Sequence, residues 1–231
     1  MSIPVTKLIE RYEHLSTPVV YDILDTMGYP NQALSAEIRP ISPDMRVAGP
    51  AFTLEGRDHD PNRKETASNY QMWRDIVPNS VLVRASHGHR VSGPWGENTS
   101  ITARTRGARG IIMEDGTRDV EATVKLGFPT FCRYVTPVFG RNRYQLVAYQ
   151  QPIQMMGQVE ETVLVTPGDF VIADRDGVVI VPQALIEEVL MAAERLEEIE
   201  EELRAGLIAG EDREEVYKRH PKFDHVRKPN S

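Results

Sequence analysis

An arginine and an aspartate stand side by side at Arg118-Asp119, after the run Gly110-Ile111-Ile112-Met113-Glu114-Asp115-Gly116-Thr117. Ile111 to Met113 read as a short apolar strand, Asp115-Gly116 as a turn, and Val120 onward as a helix. The pair is therefore expected at the C-terminal end of a strand, where ligand groups in α/β folds collect. A guanidinium presents a planar fork to a carboxylate, and an aspartate presents hard oxygens to a cation such as Mg²⁺. Side by side they suit a small carboxylate held next to a divalent metal, the chemistry of a metal-dependent lyase acting on oxo acids. The dipeptide also has a plainer use, since an acid in a first helical turn balances the helix dipole and an arginine finds a surface acid.

Gly96-Glu97-Asn98-Thr99 is the expected partner of that pair. A glycine lets a backbone approach closely, and the N–H groups of Asn98 and Thr99 at a helix start can receive a carboxylate or oxo oxygen. A loop glycine before an acid at a helix start explains the same residues without chemistry. His87 and His89 flank Gly88 at a spacing that would suit a metal pair, but zinc sites need softer ligands nearby and Cys132 is remote. They read instead as loop or substrate-contacting histidines. Cys132, on an apolar segment, reads as a small buried hydrophobe. No glycine-rich phosphate loop or nucleotide fingerprint is present.

These residues need a scaffold, and 231 residues with 40% hydrophobic content can bury one large core or two small ones. A formal charge of −7 argues against a nucleic-acid surface, which needs concentrated basic residues. A single cysteine fits a reducing compartment. The N-terminal residues carry Lys7, Glu10, Arg11 and Glu13, unlike a signal peptide, and no apolar run approaches membrane-spanning length. A cytoplasmic protein is expected, with no nucleic-acid or membrane partner.

Helices are expected at 4–14 and from Ser16-Thr17-Pro18, with Ser16 as N-cap, to Gly28. Strands should occupy 41–55, a polar helix 60–76, and a short strand 81–83 that feeds the loop 86–96. A helix at 97–106, the strand 110–113, a helix at 120–126 and a strand at 130–133 follow in α/β order. Three apolar runs at 163–165, 170–172 and 178–181, separated by Pro167-Gly168-Asp169 and Asp174-Arg175-Asp176-Gly177, read as a β-meander. A helix over 183–207, roughly 35 Å long, carries Leu185, Val189, Ala192, Leu196, Ile199 and Leu203 as an apolar seam. The last dozen residues, with Pro221 and Pro229, read as a loosely held tail.

The motifs together resemble the RraA-like family, which includes the class II 4-hydroxy-4-methyl-2-oxoglutarate/4-carboxy-4-hydroxy-2-oxoadipate aldolases. The matching segments are Ser16-Thr17…Asp22-Ile23-Leu24-Asp25…Gly28, Ala48-Gly49-Pro50-Ala51, Trp95-Gly96-Glu97, Arg106-Gly107-Ala108-Arg109-Gly110, Asp115-Gly116-Thr117-Arg118-Asp119, Gly127-Phe128-Pro129 and Pro167-Gly168-Asp169…Asp176-Gly177-Val178…Val181-Pro182. The resemblance implies one α/β domain with a β-sandwich-like core of the swivelling β/β/α type flanked by helices. The core would span 1–182, and 183–231 would form a helical extension reaching a neighbouring subunit in a homotrimer or hexamer. It further implies that Asp119 ligates Mg²⁺ or Mn²⁺, that Arg118 binds pyruvate, and that Gly96, Asn98 and Thr99 line the oxo-acid site. Glu97 stands where the characterised aldolases have an aspartate that holds a metal-bound water. A glutamate from the neighbouring C-terminal helix would complete the site, placed at Glu200, with Glu197 and Glu201 as alternatives.

The implied reaction is retro-aldol cleavage of a 4-hydroxy-2-oxo acid, with oxaloacetate decarboxylation as a side activity through the same enolate. That enolate needs either a Schiff-base lysine or a metal. Lys7, Lys64, Lys125, Lys218, Lys222 and Lys228 all sit in polar, helical or tail contexts, so the metal route is favoured. His87, His89 and Arg90 are assigned to a second carboxylate or hydroxyls of the substrate. Two other roles compete with this one. The family's namesake is a non-catalytic protein that binds and inhibits a ribonuclease, but its shorter chain lacks the extension found here. A methyltransferase would need an S-adenosylmethionine site that the sequence does not offer.

Overall fold

The computed structural model describes residues 3–62 and 66–228. The chain opens with α1 (Val5–Tyr12) and α2 (Thr17–Thr26), followed by the short β1 (Arg39–Pro40) and the long β2 (Val47–Asp58). Next come α3 (Asn69–Asp75), β3 (Val81–Ala85), α4 (Glu97–Thr105) and β4 (Gly110–Met113). β5 (Gly116–Thr117), α5 (Val120–Leu126), β6 (Thr130–Cys132) and β7 (Tyr134–Val135) complete the middle of the chain. β8 (Tyr144–Tyr149), β9 (Ile153–Met156), β10 (Thr162–Val165), β11 (Phe170–Ala173) and β12 (Val178–Val181) precede α6 (Ile186–Ile208) and α7 (Arg213–Arg219).

β2 organises the sheet. On one edge it pairs in parallel with β3, which pairs with β4, which pairs with β6. Its other edge serves two antiparallel partners, β11 along residues 47–50 and β8 along 54–58. Within the β8 pairing the register shifts between Glu55 and Gly56, a local irregularity that increases the twist of the strand.

Period-two alternation assigns the faces. Val81, Val83 and Ile112 point into a core shared with Ile153, Met155, Val163 and Val165 of the β9–β10 hairpin. Leu82, Ile111 and Met113 point the other way, onto Phe52, Trp95 and Ala103. In β11 and β12, Phe170, Ile172, Val179 and Val181 meet α1, α2 and α6, while Val171 and Ile180 face inward. Full burial of Phe52, Leu82 and Ile111 stabilises the fold by about 1.5–3 kcal/mol each. The result is the expected mixed α/β fold, a curled sheet closed by a hairpin, wrapped by helices, with a long C-terminal helix.

Four local expectations need correction. The helix expected over 60–76 is only α3, because Asn62 N–H donates to Asp60 Oδ1 and Asp60 N–H to Gln145 Oε1, tying that stretch into turns. Residues 63–65, including Lys64, lie outside the described residues. The three late strands are not one meander: β10 pairs with β9. Gly168 N–H donates to Ala51 O and Ala51 N–H to Asp169 O, which carries the chain over to β2. Ser16 makes no side-chain cap; the acceptor at the start of α2 is Asp174, bonded by both Thr17 N–H and its hydroxyl at 2.9 and 2.7 Å. The tail is held rather than loose through residue 228, with Val226 buried against the α1–α2–α6 core and Arg227 paired with Glu188 at 2.7 Å. Pro229 lies outside the described residues.

The α6 seam packs on its own chain, on α1 and α2 and then, through Ile199 and Leu203, on Val216 of α7. Among the described residues no helix is long and apolar enough to cross a membrane.

Candidate functional site

β4 ends at Glu114-Asp115, and this turn is anchored before the chain reaches the Arg-Asp pair. Asp115 is fully buried and pairs with the equally buried Arg84 of β3. It also accepts from the Ser86 hydroxyl at 2.5 Å. Burial works against the Arg84 charge, but Asp115 beside it holds the guanidinium protonated. Glu114 accepts backbone N–H groups from Ser86 and Met156 at 2.9 and 2.5 Å; burial still pushes its pKa above the usual carboxylate range.

From that anchor the chain runs beside residues 93–96. Trp95 and Thr117 form a parallel bridge, Arg118 N–H donates to Trp95 O at 3.0 Å, and the Thr117 hydroxyl donates to the same oxygen at 3.3 Å. Trp95 is buried and its Nε1 donates to Ser100 Oγ at 2.9 Å. The Thr99 hydroxyl accepts from Gly96 N–H at 2.8 Å, which closes the start of α4.

Asp119 sits at the N-cap of α5 with φ of 56°, a left-handed conformation that aspartate tolerates better than most residues. Its carboxylate does not cap its own helix. It turns instead to α4, where Oδ2 accepts from Glu97 N–H at 3.3 Å and lies 3.5 Å from Arg118 Nε. Two helix N-termini thus meet at one carboxylate, in a field that favours anions. Gly96 makes the approach possible: a Cβ there would stand 2.4 Å from Asp119 Oδ2 and 3.1 Å from Arg118 Cγ. The Arg118 guanidinium lies over the Phe139 ring at 4.6 Å.

Arg118 and Asp119 remain 33% and 40% exposed, so their mutual contact does not close the site. A cavity of about 640 Å³ opens beside them, with Glu97, Asp119, Glu121 and Lys125 in its wall. Asn98 and Thr99 occupy the first turn of α4, where backbone N–H groups have no acceptor within the helix.

The structure brings Gly96, Glu97, Asn98, Thr99, Arg118 and Asp119 together. It does not bring His87 or His89 to them. His89 is buried, its Nδ1 2.5 Å from Asp58 and its Nε2 2.8 Å from Ser92 Oγ, so both ring nitrogens are committed to the loop. His87 is exposed and pairs with Glu55 at 2.8 Å, and Arg90 pairs with Glu37 at 3.2 Å. Glu200 is held within its own chain by Lys222 at 2.5 Å and Arg204 at 3.2 Å. Glu197 is held by Arg204 at 2.8 Å. Glu201 is exposed, and no described residue pairs with it.

Among the described residues no three His, Cys, Asp or Glu side chains cluster as a metal cage. The donors at hand are Asp119 and Glu97, hard oxygens on a solvent-open wall. That set fits Mg²⁺ or Mn²⁺, which are held by one or two carboxylates with several waters retained, and does not fit zinc. Sequence reasoning missed the Arg84–Asp115 anchor and the Phe139 platform. Arg84 had a signal, a lone charge between the apolar run Val81-Leu82-Val83 and Ala85.

A curled mixed sheet wrapped by helices, with an Arg-Asp pair turned to a helix N-terminus, defines a mixed α/β protein. The chain belongs to the RraA-like family, Aldolase/RraA, whose model matches residues 17–180. It is 28% identical over 212 residues to protein DlpA of Legionella pneumophila, covering 90% of this chain but only 33% of that longer protein. A Halalkalibacterium halodurans protein with the provisional name 4-hydroxy-4-methyl-2-oxoglutarate aldolase is 28% identical over 187 residues, 81% of this chain and 82% of its own. Among solved structures, Streptomyces coelicolor RraAS2, described as an unusual member of the RNase ES inhibitor RraA family, superposes with a TM-score of 0.74. It is 25% identical, over 87% of this chain and 97% of that one.

Proposed function

We propose that this chain is a class II pyruvate aldolase, dependent on Mg²⁺ or Mn²⁺, that cleaves a 4-hydroxy-2-oxo acid to pyruvate and an oxo compound. The observation that carries the reading is the half-open Arg118–Asp119 pair against the N-terminus of α4. Asp119 would hold the cation directly, with Glu97 as the second carboxylate. When bound, the metal supplies Lewis acidity to the 2-oxo group.

The chain's own residues do the rest. Arg118 takes the substrate carboxylate and neutralises charge that develops on the adjoining oxygen. The N–H groups of Asn98 and Thr99 orient the same end of the substrate. As the C3–C4 bond breaks, its electron pair passes to C3 and the 2-oxo oxygen, and the 4-hydroxyl loses its proton to become the new carbonyl. Glu97, exposed beside Asp119, is the carboxylate to receive that proton, directly or through water. A proton returned to C3 completes pyruvate. Oxaloacetate, whose decarboxylation leaves the same enolate, is a side substrate.

A Schiff-base route has little support. Lys7, Lys125, Lys218 and Lys222 are all ion-paired with acids, and none of them is buried in apolar surroundings. A homotrimer or hexamer would let the extension at 183–231 lend an acid across subunits. Glu200 would have to leave both Lys222 and Arg204 to do so, whereas Glu201 would leave no partner.

Pyruvate release from a panel of 4-hydroxy-2-oxo acids, with Mg²⁺ or Mn²⁺, tests the reading. Arg118→Ala should lower kcat/KM by about 10²–10³-fold, the usual cost of one lost charge-stabilising donor. The likeness to RraAS2 supports a second reading, a non-catalytic regulator that binds a ribonuclease. Ribonuclease capture that survives Asp119→Ala, without pyruvate release from any acid, would favour it.

A further inference from the structure

We propose that a second pocket, adjoining Arg118–Asp119, receives the half of the substrate that leaves as the oxo product, and that this half bears a planar, largely apolar group of about phenyl size. The assignment rests on the aldolase reading above.

The pocket lies between α3, α4, β8 and the segment before β8, with a volume of about 260 Å³. Leu54, Met72, Trp73, Trp95, Phe139 and Leu146 form its apolar walls. An apolar cavity of roughly 150 Å³ accepts benzene, so this one has room for a ring and a substituent. It joins the candidate site at two residues. Thr99 lines it from the first turn of α4, and Phe139 lines it while carrying the Arg118 guanidinium on its ring.

Two further lining residues close the inner end of the pocket. Arg84 and Tyr144 border it, with Arg84 Nε and the Tyr144 hydroxyl themselves buried and the hydroxyl next to Ser86. Arg84 is well housed, 5.5 Å from the Trp95 ring centre and 5.0 Å from that of Tyr144. Its charge is already met by Asp115. The polar lining of the pocket comes from Asn69, Arg141 and Gln145. Gly56 reserves the place of the Tyr144 hydroxyl, since a Cβ there would fall 1.7 Å from it.

The chain's two tryptophans, Trp73 and Trp95, both line the pocket, so their emission reports its occupancy. The test uses the full chain. First, kcat/KM with Mg²⁺ is compared for 4-hydroxy-2-oxo acids carrying methyl, phenyl or 4-hydroxyphenyl at C4. The aryl acids should exceed the methyl acid by at least about tenfold. Second, benzyl alcohol is titrated while tryptophan emission is followed; a saturable change is expected, weakened about tenfold in the pocket-filling Leu146→Phe. Met72→Phe supplies the same comparison should Leu146→Phe fail to fold.

Turnover of oxaloacetate without preference for aryl acids would overturn the pocket assignment and leave the aldolase reading standing. Absence of metal-stimulated turnover of every acid would instead overturn the aldolase reading. The titration then decides for the pocket alone: saturation supports it, and a linear response overturns it.

Discussion

Two arginine–aspartate pairs lie within one turn of chain of each other and behave as opposites. Arg84–Asp115 is buried, and Asp115 is also bonded to Ser86. Arg118–Asp119 is about one-third exposed, joined at 3.5 Å through a single nitrogen, and opens on a cavity. The first pair has no room to change partners, so its role is to fix the turn. The second is held by backbone contacts to Trp95 and Glu97 while its charges stay available. Chemistry needs charge that is positioned but not consumed, and the dry pair supplies the positioning.

Breaking the dry pair should have the largest effect on stability. Asp115→Ala leaves the Arg84 charge buried and uncompensated, which costs about 3–5 kcal/mol, readable as a lower urea midpoint. A loss below about 1 kcal/mol would mean the turn is anchored elsewhere. Gly96→Ala sharpens the contrast from the open side. With φ of −170°, the backbone at Gly96 is extended and suits any residue, so the cost comes from the Cβ meeting the Asp119 carboxylate. Destabilisation of about 1–3 kcal/mol with an activity loss on the order of 10²-fold is expected, checked by melts beside kinetics. Equal activity would show that the position of Asp119 is not critical.

The smallest effect is at Cys132, on β6. Burial, with Asp115 nearby, pushes its thiol up to about 11. A raised thiol pKa keeps the neutral form, so on the order of one molecule in a thousand carries thiolate at pH 8. Iodoacetamide should label the native protein far more slowly than the urea-unfolded one, and the native rate should rise tenfold per pH unit from 8 to 10. Rapid native labelling at pH 8 would show that the strand beside the dry pair opens readily.

The open pair was legible in the sequence and the dry one was not. Arg118-Asp119 follows an Asp-Gly turn at a strand end, and Gly96-Glu97 opens a helix, so local pattern predicted both segments and the structure places them in contact. Arg84 meets Asp115 across 31 residues, a pairing that only the parallel β3–β4 register creates. The same limit explains the late strands. Their apolar runs were visible, but the pairing of β10 with β9 and the bonds of Gly168 and Asp169 to Ala51 join distant parts of the chain that local pattern does not connect. His89 reads as a substrate contact because its loop, with His87 and Arg90, is basic and precedes the site, yet Asp58, on β2, claims its ring.

The most direct test of the central claim is oxaloacetate decarboxylation by the purified protein, with and without Mg²⁺ or Mn²⁺, beside Asp119→Ala. The account predicts turnover that needs the metal, is abolished by chelator, and falls by about 10²-fold or more in the variant, well beyond the stability loss of about 1–2 kcal/mol that a left-handed alanine brings. Metal-independent turnover, or full activity in Asp119→Ala, would contradict it.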